Sequence, residues 1–474
     1  MDLTDRPTAE LPGDGSSRHE LTRTGKAHRQ RVKRSALAEV SFAGRPDPIG
    51  LLEEQAASRV PNLVPIRYGR MAQSQFAFFR GAALVMADDL ARSPSSDLRV
   101  QLCGDAHLSN FGVYATPERR LVFDVNDFDE TYPGPFEWDV KRLSASLAVA
   151  ARGRGFPTEQ CRPIARGAAT AYRIRMGELA GLGHLDVWYA HVDADTVMRE
   201  FRSRIDAETV GRAKGAVRKA RRRTSMQALG KLTRVVDGRR QIVSDPPLII
   251  RMSELLEGAE FDRMYKLLLE RFAAYKETLQ WDRRVLIERY RMIDFALKVV
   301  GVGSVGTRCW IGLFEGADGE DPLFLQVKEA QKSVLARYVT GPEIEHQGER
   351  VVNGQQLMQE ASDIFLGWDR GEGLDGEVRD FYVRQLRDGK LSAQVDTFSP
   401  ELLELYGRLC GRTLAQAHGR SGDRFAIAGY LGSRGAFDDA MAEFALAYAE
   451  QNVADHAALQ AAIDSGRVQA RLDL

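Results

Sequence analysis

A glycine-rich turn between two strand-like runs is the sequence feature that most constrains the fold of this chain. The segment FALKVVGVGSVGTRCWIGLFEG, residues 295–316, carries Gly301, Gly303 and Gly306 in the spacing G-x-G-x-x-G. Such glycines allow tight turns and close approach of the backbone to phosphate groups. A dinucleotide-binding fold would open a helix after the turn, but the run TRCWIGLF that follows is typical of a strand. The segment therefore predicts a hairpin whose turn, which includes Ser304, is a candidate phosphate-binding loop; an ordinary glycine turn is the alternative.

The next strand-like segment, FLQVKEA, places Lys328 between apolar neighbours, 22 residues after the last of these glycines. In protein kinases a glycine hairpin is followed by a strand lysine that holds ATP phosphates, and a helix then supplies a glutamate that pairs with the lysine. The helical segment GQQLMQEASDIF offers Glu360 for this role, with Glu329 and Glu343 as rivals. A surface lysine with an apolar stem is the alternative interpretation of Lys328. The set predicts an ATP site.

Two acidic segments near the start of the chain predict a catalytic and metal site. LCGDAHLSNFG places Asn110 five residues after Asp105, and VFDVNDFDE follows with Asp127 and Asp129. In phosphoryl transfer an Asp accepts the hydroxyl proton, an Asn five residues on binds a metal, and a second Asp links that metal to the phosphates. Neighbouring carboxylates repel one another unless a cation offsets them. We therefore expect Asp105 to be the catalytic base and Asn110, Asp127 and Asp129 to bind Mg²⁺; acidic turns with Asx caps are the alternative.

These motifs resemble those of aminoglycoside- and choline-type small-molecule kinases. GDAHLSN is similar to their G-D-x-H-x-x-N loop, in which the histidine, here His107, supports the loop structurally. The resemblance implies that Asp139, early in the helix FEWDVKRLSAS, braces this loop. It also implies that LAQAHGRSGD, with His418, is the helix that normally precedes it. The chain departs from the pattern at Cys103, where relatives usually have His, and at Asp129, where they have Gly.

The order of the motifs is rotated relative to an ordinary kinase, since the Asp–Asn loop precedes the glycine hairpin. A chain started near residue 295 would read in the kinase order, as circular permutation allows when the termini lie close together. We therefore predict an α+β, protein-kinase-like two-lobe fold that is circularly permuted. Its expected parts are a disordered basic leader with at most one short helix (1–45), a helix-rich lobe with the catalytic and metal loops (46–294), a strand-rich nucleotide-binding lobe (295–396) and C-terminal helices packing on the helix-rich lobe (397–474).

Six segments together resemble the bacterial domain-of-unknown-function family 2252, over nearly the whole chain after residue 50: RYGRMAQSQFAFFRGAA, LCGDAHLSNFGVY, NDFDET, VVGVGSVGTRCWIGL, LQVKEA and LAQAHGRSGD. That family implies no particular reaction. From the residues we expect an ATP- and Mg²⁺-dependent phosphotransferase acting on an unknown small-molecule hydroxyl. Three alternatives stay open. They are adenylyl transfer at the same site, nucleotide binding without catalysis, and a metal-dependent phosphoesterase built on the D-x-H pair of Asp105 and His107.

Composition limits the partners and the compartment. The formal net charge is zero, so the whole molecule is not a polyelectrolyte for nucleic acid or membrane. The basic run 212–240 lacks interleaved aromatics, so a solvated helical face is favoured over a nucleic-acid patch. Four dispersed cysteines and the absence of an apolar run of about 18 residues predict a cytoplasmic protein without a membrane partner. Arg80, in the apolar run FAFFRGAALVM, is expected to pair with a carboxylate or a phosphate. The oligomeric state stays open.

Overall fold

The structure, a computed structural model, describes residues 16–202, 211, 215, 225–299, 301–373, 375–386 and 391–473. Its helices, numbered within this described part, are α1 (Arg18–Arg31), α2 (Pro48–Ala56), α3 (Val64–Ala72), α4 (Gln75–Gly81), α5 (Ala83–Ala91), α6 (Glu137–Gly153), α7 (Thr158–Gly181), α8 (His184–Tyr189), α9 (Ala194–Arg202), α10 (Ser225–Leu232), α11 (Met252–Leu255), α12 (Gly258–Glu277), α13 (Trp281–Ile287), α14 (Gln347–Met358), α15 (Pro400–Ser421), α16 (Arg424–Leu431) and α17 (Ala436–Asp464).

The strands are β1 (Arg99–Leu102), β2 (Phe111–Ala115), β3 (Leu121–Val125), β4 (Tyr132–Pro135), β5 (Thr233–Val236), β6 (Arg239–Ile242), β7 (Ile249–Arg251), β8 (Arg291–Lys298), β9 (Cys309–Glu315), β10 (Pro322–Glu329), β11 (Gly367–Glu372), β12 (Val378–Gln385) and β13 (Leu391–Ser392). Six of them form an antiparallel sheet in the order β11-β12-β10-β9-β8-β7. The chain is therefore a mixed α+β protein, as its sequence pattern predicts.

The six-stranded sheet is buried on both faces because its strands carry apolar side chains on alternate sides. Ile311 and Leu313 pack with Leu229 of α10 on one face. Phe314 and Leu325 pack with α12 and α13 on the other face. The glycine turn joins β8 to β9, and Lys328 lies on β10 between β9 and β12. The predicted hairpin and the predicted strand position of the lysine are both confirmed.

The helical part is built around α6, α7, α15 and α17, which pack against one another. Helix α6 is almost entirely buried, from Glu137 to Ala151. Small residues dominate the facing sides, as in the run ASLAVAA of α6, and this lets the helix axes approach closely. This core forms the rigid support beneath the two acidic loops.

The strand pairing brings the two acidic loops side by side. Strand β1 pairs with β4, with Leu102 opposite Tyr132, and β2 pairs with β3, with Phe111 opposite Val125. The Asp105–Asn110 segment links β1 to β2, and the segment with Asp127 and Asp129 links β3 to β4. Because the strands on either side are paired, the two loops leave the same ends of neighbouring strands.

The prediction of a disordered leader over residues 1–45 is wrong for residues 16–45, which are the part of it that the structure describes. Helix α1 packs closely on α16, and a Cβ at Gly25 would lie 1.8 Å from the carbonyl oxygen of Ala426. Arg29 and Arg34 donate hydrogen bonds to the carbonyl groups of Gly429 and Leu431. Basic composition therefore does not mean disorder here, because the arginines cap helix ends and a glycine permits close helix packing. Residues 1–15 lie outside the described residues.

Other predicted boundaries also shift. Strand β4 includes the PGP segment at residues 133–135, and the run FAFFRGAALVMADDLA forms the two helices α4 and α5, which meet at Ala82. The large sheet starts before residue 295, since β7 and the first half of β8 precede that residue, and the β5–β6 hairpin lies in the part expected to be helix-rich. In the basic run 212–240, residues 212–214 and 216–224 lie outside the described residues. Residues 225–240 of this run form α10 and most of the β5–β6 hairpin. No helix among the described residues is long and apolar enough to cross a membrane.

Candidate functional site

A cleft of about 470 Å³ lies between the glycine turn and the acidic loops. Seven residues predicted for the site line it: Asp105, Asn110, Asp127, Asp129, Gly301, Gly303 and Ser304. Lys328 does not line the cleft directly, but its ammonium group contacts Asp129, which does. Gly306 and Glu360 are absent from the lining. The structure therefore brings together segments that are about 200 residues apart in the sequence.

The Asp105 loop is fixed from below by Asp139 in the first turn of α6. Its carboxylate accepts hydrogen bonds from the backbone N–H groups of Cys103 (2.8 Å) and Gly104 (3.1 Å), and it lies 3.1 Å from Nε2 of His418 on α15. Gly104 has a φ of +86°, and a Cβ there would lie 2.1 Å from the carbonyl oxygen of Glu130. Only glycine fits this turn without strain. The bracing role predicted for Asp139 is confirmed.

The carboxylate of Asp105 is held at one oxygen by Arg142, whose Nε lies 2.8 Å from Oδ1. Arg142 also donates to the carbonyl oxygen of Phe79 at 2.7 Å and lies over the Phe79 ring. The other oxygen of Asp105 is 3.7 Å from Nε2 of His107. Arg142 therefore fixes the orientation of Asp105, whose side chain lines the cleft.

His107 supports the loop and is uncharged. Burial lowers the pKa of His107 well below its usual value, as do the nearby guanidinium groups of Arg80 and Arg142. Its Nδ1 accepts a hydrogen bond from the backbone N–H of Ser109 at 3.2 Å. The proton of the neutral ring is then on Nε2, which points toward Asp105. The predicted structural role of His107 is confirmed, and the D-x-H pair lacks the further ligands of a phosphoesterase metal centre within the described residues.

Asn110 and Asp127 both line the cleft. The side-chain N–H of Asn110 donates to the carbonyl oxygen of Asp105 at 2.7 Å, which leaves the amide oxygen as the group available to a ligand. Oδ1 of Asp127 accepts from the backbone N–H of Asp129 at 3.3 Å. One carboxylate and one amide oxygen fit Mg²⁺, which protein sites commonly hold through one or two carboxylates together with water and substrate phosphates. The described residues contain no group of three or more His, Cys, Asp and Glu side chains that would form a complete cage.

Lys328 is paired with Asp129. Its side chain is 3% exposed, and its Nζ lies 2.5 Å from Oδ2 of Asp129. Ser304 and Tyr382 also donate to the Asp129 carboxylate, at 3.2 and 2.6 Å. Burial alone would raise the pKa of Asp129, but the ammonium group of Lys328 lowers that pKa far below its usual range. In turn, burial alone would lower the pKa of Lys328, but Asp129 raises it well above its usual value. Both oxygens of Asp129 are engaged by protein donors, which disfavours the prediction that it binds a metal.

The prediction that Glu360 pairs with Lys328 is wrong. Helix α14 ends at Met358, before Glu360, and the backbone N–H of Glu360 donates to Asp124 at 2.9 Å. Its carboxyl group lies 3.9 Å from Arg120, away from the cleft. Burial raises the pKa of Glu360 to about 7. The helical periodicity extends past the real end of the helix, so the sequence placed this glutamate on the wrong element.

Helix α14 supplies an arginine where a glutamate was expected. Arg350 is 3% exposed and donates to the backbone carbonyl oxygens of Thr131 (2.6 Å), Asp129 (2.9 Å) and Gln331 (2.8 Å). These bonds hold the loop that carries Asp127 and Asp129 against the strand that carries Lys328. Sequence reasoning missed this residue because its acceptors are backbone atoms, which leave no signal in the sequence.

The glycine turn is tethered by the segment before α4. Arg70 donates to the carbonyl oxygen of Gly301 at 2.7 Å, and the backbone N–H of Val60 donates to that of Gly306 at 2.8 Å. Arg59 donates to the carbonyl oxygen of Val305. The turn is thus held over the cleft from outside the sheet. These contacts also lie beyond what the sequence pattern predicted.

The fold and the cleft define a mixed α+β protein in which an antiparallel sheet with a glycine turn faces paired acidic loops on a helical core. The chain belongs to the DUF2252 family, described as an uncharacterised protein conserved in bacteria, whose match spans residues 59–462. No curated protein and no solved structure matches the chain.

Proposed function

We propose that this chain is an ATP- and Mg²⁺-dependent phosphotransferase that acts on a small-molecule hydroxyl group. The observation that carries the proposal is the convergence of the glycine turn, the Lys328–Asp129 pair and the Asp105–Asn110 loop on one cleft. Phosphoryl transfer depends almost entirely on positioning and on offsetting charge, and these are the parts that it uses.

The proposal includes a kinase-like fold in circularly permuted order. If the sequence is read from residue 295, the elements come in the order glycine hairpin, Lys328, α14, β12, α15, Asp105 loop and Asp127 loop. The contact between His418 of α15 and Asp139 supports this reading, because it joins the helix expected before the catalytic loop to the brace beneath that loop. The two residues are 279 positions apart in the sequence, yet both are almost fully buried at one place.

Each side chain has a distinct task in this proposal. Asp105 accepts the proton of the acceptor hydroxyl at Oδ2, while Arg142 holds Oδ1 and fixes the carboxylate. Asn110 and Asp127 would hold Mg²⁺. The ammonium of Lys328, positioned by Asp129, keeps donor capacity for a phosphate oxygen. When bound, Mg-ATP would supply the transferable phosphoryl group with part of its charge already offset.

Two other activities are compatible with the same residues. Adenylyl transfer would use the same cleft but move the α-phosphorus, and a nucleotide-binding protein without catalysis would bind ATP with no turnover. Transfer of label from γ-³²P-ATP rather than α-³²P-ATP supports phosphoryl transfer. Loss of a cellular function on Asp105→Asn substitution, with ATP binding retained, separates catalysis from binding alone.

Nucleotide binding is tested by thermal unfolding with ATP and Mg²⁺. A ligand at about 100 times its Kd stabilises the native state by about 2.7 kcal/mol, which raises the Tm. We expect this shift in the wild type and its loss in Lys328→Ala and in Asp127→Asn. Lys266→Ala, at a side chain that is 81% exposed on α12, is the matched control and keeps the shift. The absence of a shift in the wild type at millimolar nucleotide would remove the proposal.

A further inference from the structure

Arg80 is a half-buried cationic side chain that lines the cleft and has no hydrogen-bond acceptor in the part of the chain that the structure describes. It lies on α4 next to the buried ring of Phe79, and its Nε is buried without a hydrogen-bond partner. Within the described residues it forms no ion pair, whereas the sequence predicts either a carboxylate or a phosphate as its partner. It lines the cleft together with Asp105 and Asp127.

A second guanidinium lies on the same wall. Arg59 is 5% exposed, donates to the carbonyl oxygen of Val305, and has a buried Nε with no partner. The contrast with Arg142 is informative, because that neighbouring arginine donates to Asp105 and to Phe79 and has no buried N–H group left over. Buried Nε atoms without a partner also occur on arginines elsewhere, such as Arg29 and Arg420, so what sets Arg80 and Arg59 apart is that they line the acidic cleft.

A half-buried guanidinium group with a buried, unmatched N–H favours an anionic partner. A buried polar group without a hydrogen bond costs free energy, and a buried charge costs more. Burial lowers the pKa of Arg80, and Asp105 and Asp127 offset this only in part, but a guanidinium group stays protonated in proteins. Phosphate oxygens match the planar fork of arginine particularly well.

We propose that Arg80, together with Arg59 from the lining of the same cleft, forms a phosphate-binding subsite. The subsite takes the dianionic oxygens of a phosphate group, carried either by the nucleotide or by a phosphorylated acceptor. This inference deepens the proposed function and rests on it for the source of that phosphate group. It places the bound phosphate next to Asp105, the proposed base.

The test is calorimetric titration of the intact protein with inorganic phosphate, without nucleotide or metal. We expect the wild type to bind phosphate and Arg80→Gln to bind it at least ten times more weakly. Arg291→Gln, at a side chain that is 79% exposed on β8, is the matched control and binds like the wild type. Arg80→Lys keeps the charge without the planar fork and is expected to give an intermediate affinity.

Folding is checked separately. Because no protein acceptor depends on Arg80, the Tm of Arg80→Gln should equal or exceed that of the wild type, so weakened phosphate binding cannot be ascribed to unfolding. Absence of phosphate binding by the wild type at about 50 mM, or equal binding by wild type and Arg80→Gln, would overturn the subsite.

The source of the phosphate is found by repeating the titration with Mg-ATP. If Arg80→Gln weakens both ligands, the subsite holds a nucleotide phosphate; if it weakens inorganic phosphate alone, the subsite holds the acceptor. Either result supports the subsite. If wild-type protein binds inorganic phosphate but not Mg-ATP, the phosphotransferase proposal fails while the subsite stands.

Discussion

Replacing Asp129 by Asn removes the carboxylate that offsets the buried ammonium group of Lys328. Among the described residues, Asp129 is the acidic side chain within salt-bridge distance of that ammonium, at 2.5 Å. The variant keeps the shape of the side chain and an oxygen that can accept from Tyr382. The main change is therefore one lost negative charge beside a lysine with a 3% exposed side chain.

Removing one partner of a buried ion pair typically costs about 3 to 5 kcal/mol. The side chain of Asp129 is 28% exposed, so solvent can approach the uncompensated lysine. We therefore expect Asp129→Asn to lower the free energy of unfolding by the lower value of this range, about 3 kcal/mol. Lys328→Met costs less, about 1 to 2 kcal/mol, because Tyr382 and Ser304 still donate to Asp129. The double variant has no uncompensated charge, so we expect a coupling free energy of about 2 kcal/mol.

Urea unfolding of the wild type, the two single variants and the double variant gives this coupling. A pH series adds a second readout, because the pKa of Asp129 is depressed in the native state. Its stabilising contribution is present above its unfolded pKa, about 4, and is lost as the pH falls through the lower native pKa. The cost of Asp129→Asn should therefore shrink below about pH 4. Additive single effects, with a coupling under about 0.5 kcal/mol, would refute the reasoning.

Three further predictions concern the loops. Gly104→Ala should destabilise the protein by about 3 kcal/mol in urea unfolding, since its φ is +86° and a Cβ would contact a carbonyl oxygen, whereas Gly153→Ala, with open space around it, should be neutral within about 1 kcal/mol. Burial raises the pKa of Glu130 to about 7, so its contribution to stability is present below its unfolded pKa and is lost as the pH rises through 7. The free energy of unfolding of Glu130→Gln, relative to that of the wild type, should therefore rise by about 1 to 2 kcal/mol between pH 5 and pH 8. A difference that does not change with pH would contradict this. Asp139→Leu should lower the free energy of unfolding by about 3 kcal/mol, because two backbone N–H groups lose their acceptor. It should also abolish any phosphotransferase activity.

The local motifs could be predicted because their signals are local. The glycine turn was found between β8 and β9 because apolar alternation and glycine spacing act over a few residues. Lys328 was placed on β10 for the same reason. The sequence also predicts a loop that carries Asp105 and Asn110, and the structure has this segment between β1 and β2, with Asn110 at the end of a short 3₁₀ helix.

The partners of these residues could not be predicted in the same way. The Lys328–Asp129 pair joins residues 199 positions apart, and its formation depends on how the sheet packs against the acidic loops. The kinase pattern and helical periodicity predict that Glu360 lies on this helix and pairs with Lys328, but α14 ends at Met358. Arg350 of that helix donates to three backbone carbonyl oxygens and to the side chain of Gln347, so no pattern of charged side chains indicates its role.

The leader and the sheet boundary were missed for different reasons. Residues 18–31 have few large apolar side chains, which is typical of disorder. In the structure, Gly25 allows close packing of α1 on α16, and Arg29 and Arg34 donate to the last carbonyl groups of α16. The sheet begins earlier because the short strand β7 is separated from β8 by the helices α11, α12 and α13. A three-residue strand carries too little periodicity to be recognised alone.

A crystal structure of the full chain with Mg²⁺ and a non-hydrolysable ATP analogue tests the central claim most directly. The account predicts the triphosphate beneath residues 301–306, with a phosphate oxygen within hydrogen-bond distance of Nζ of Lys328 and the metal between Asn110 and Asp127. A nucleotide bound elsewhere, for example in the apolar cavity of about 340 Å³ between α12 and the sheet, would contradict it. A structure obtained at saturating nucleotide concentration with no nucleotide in the cleft would also contradict it.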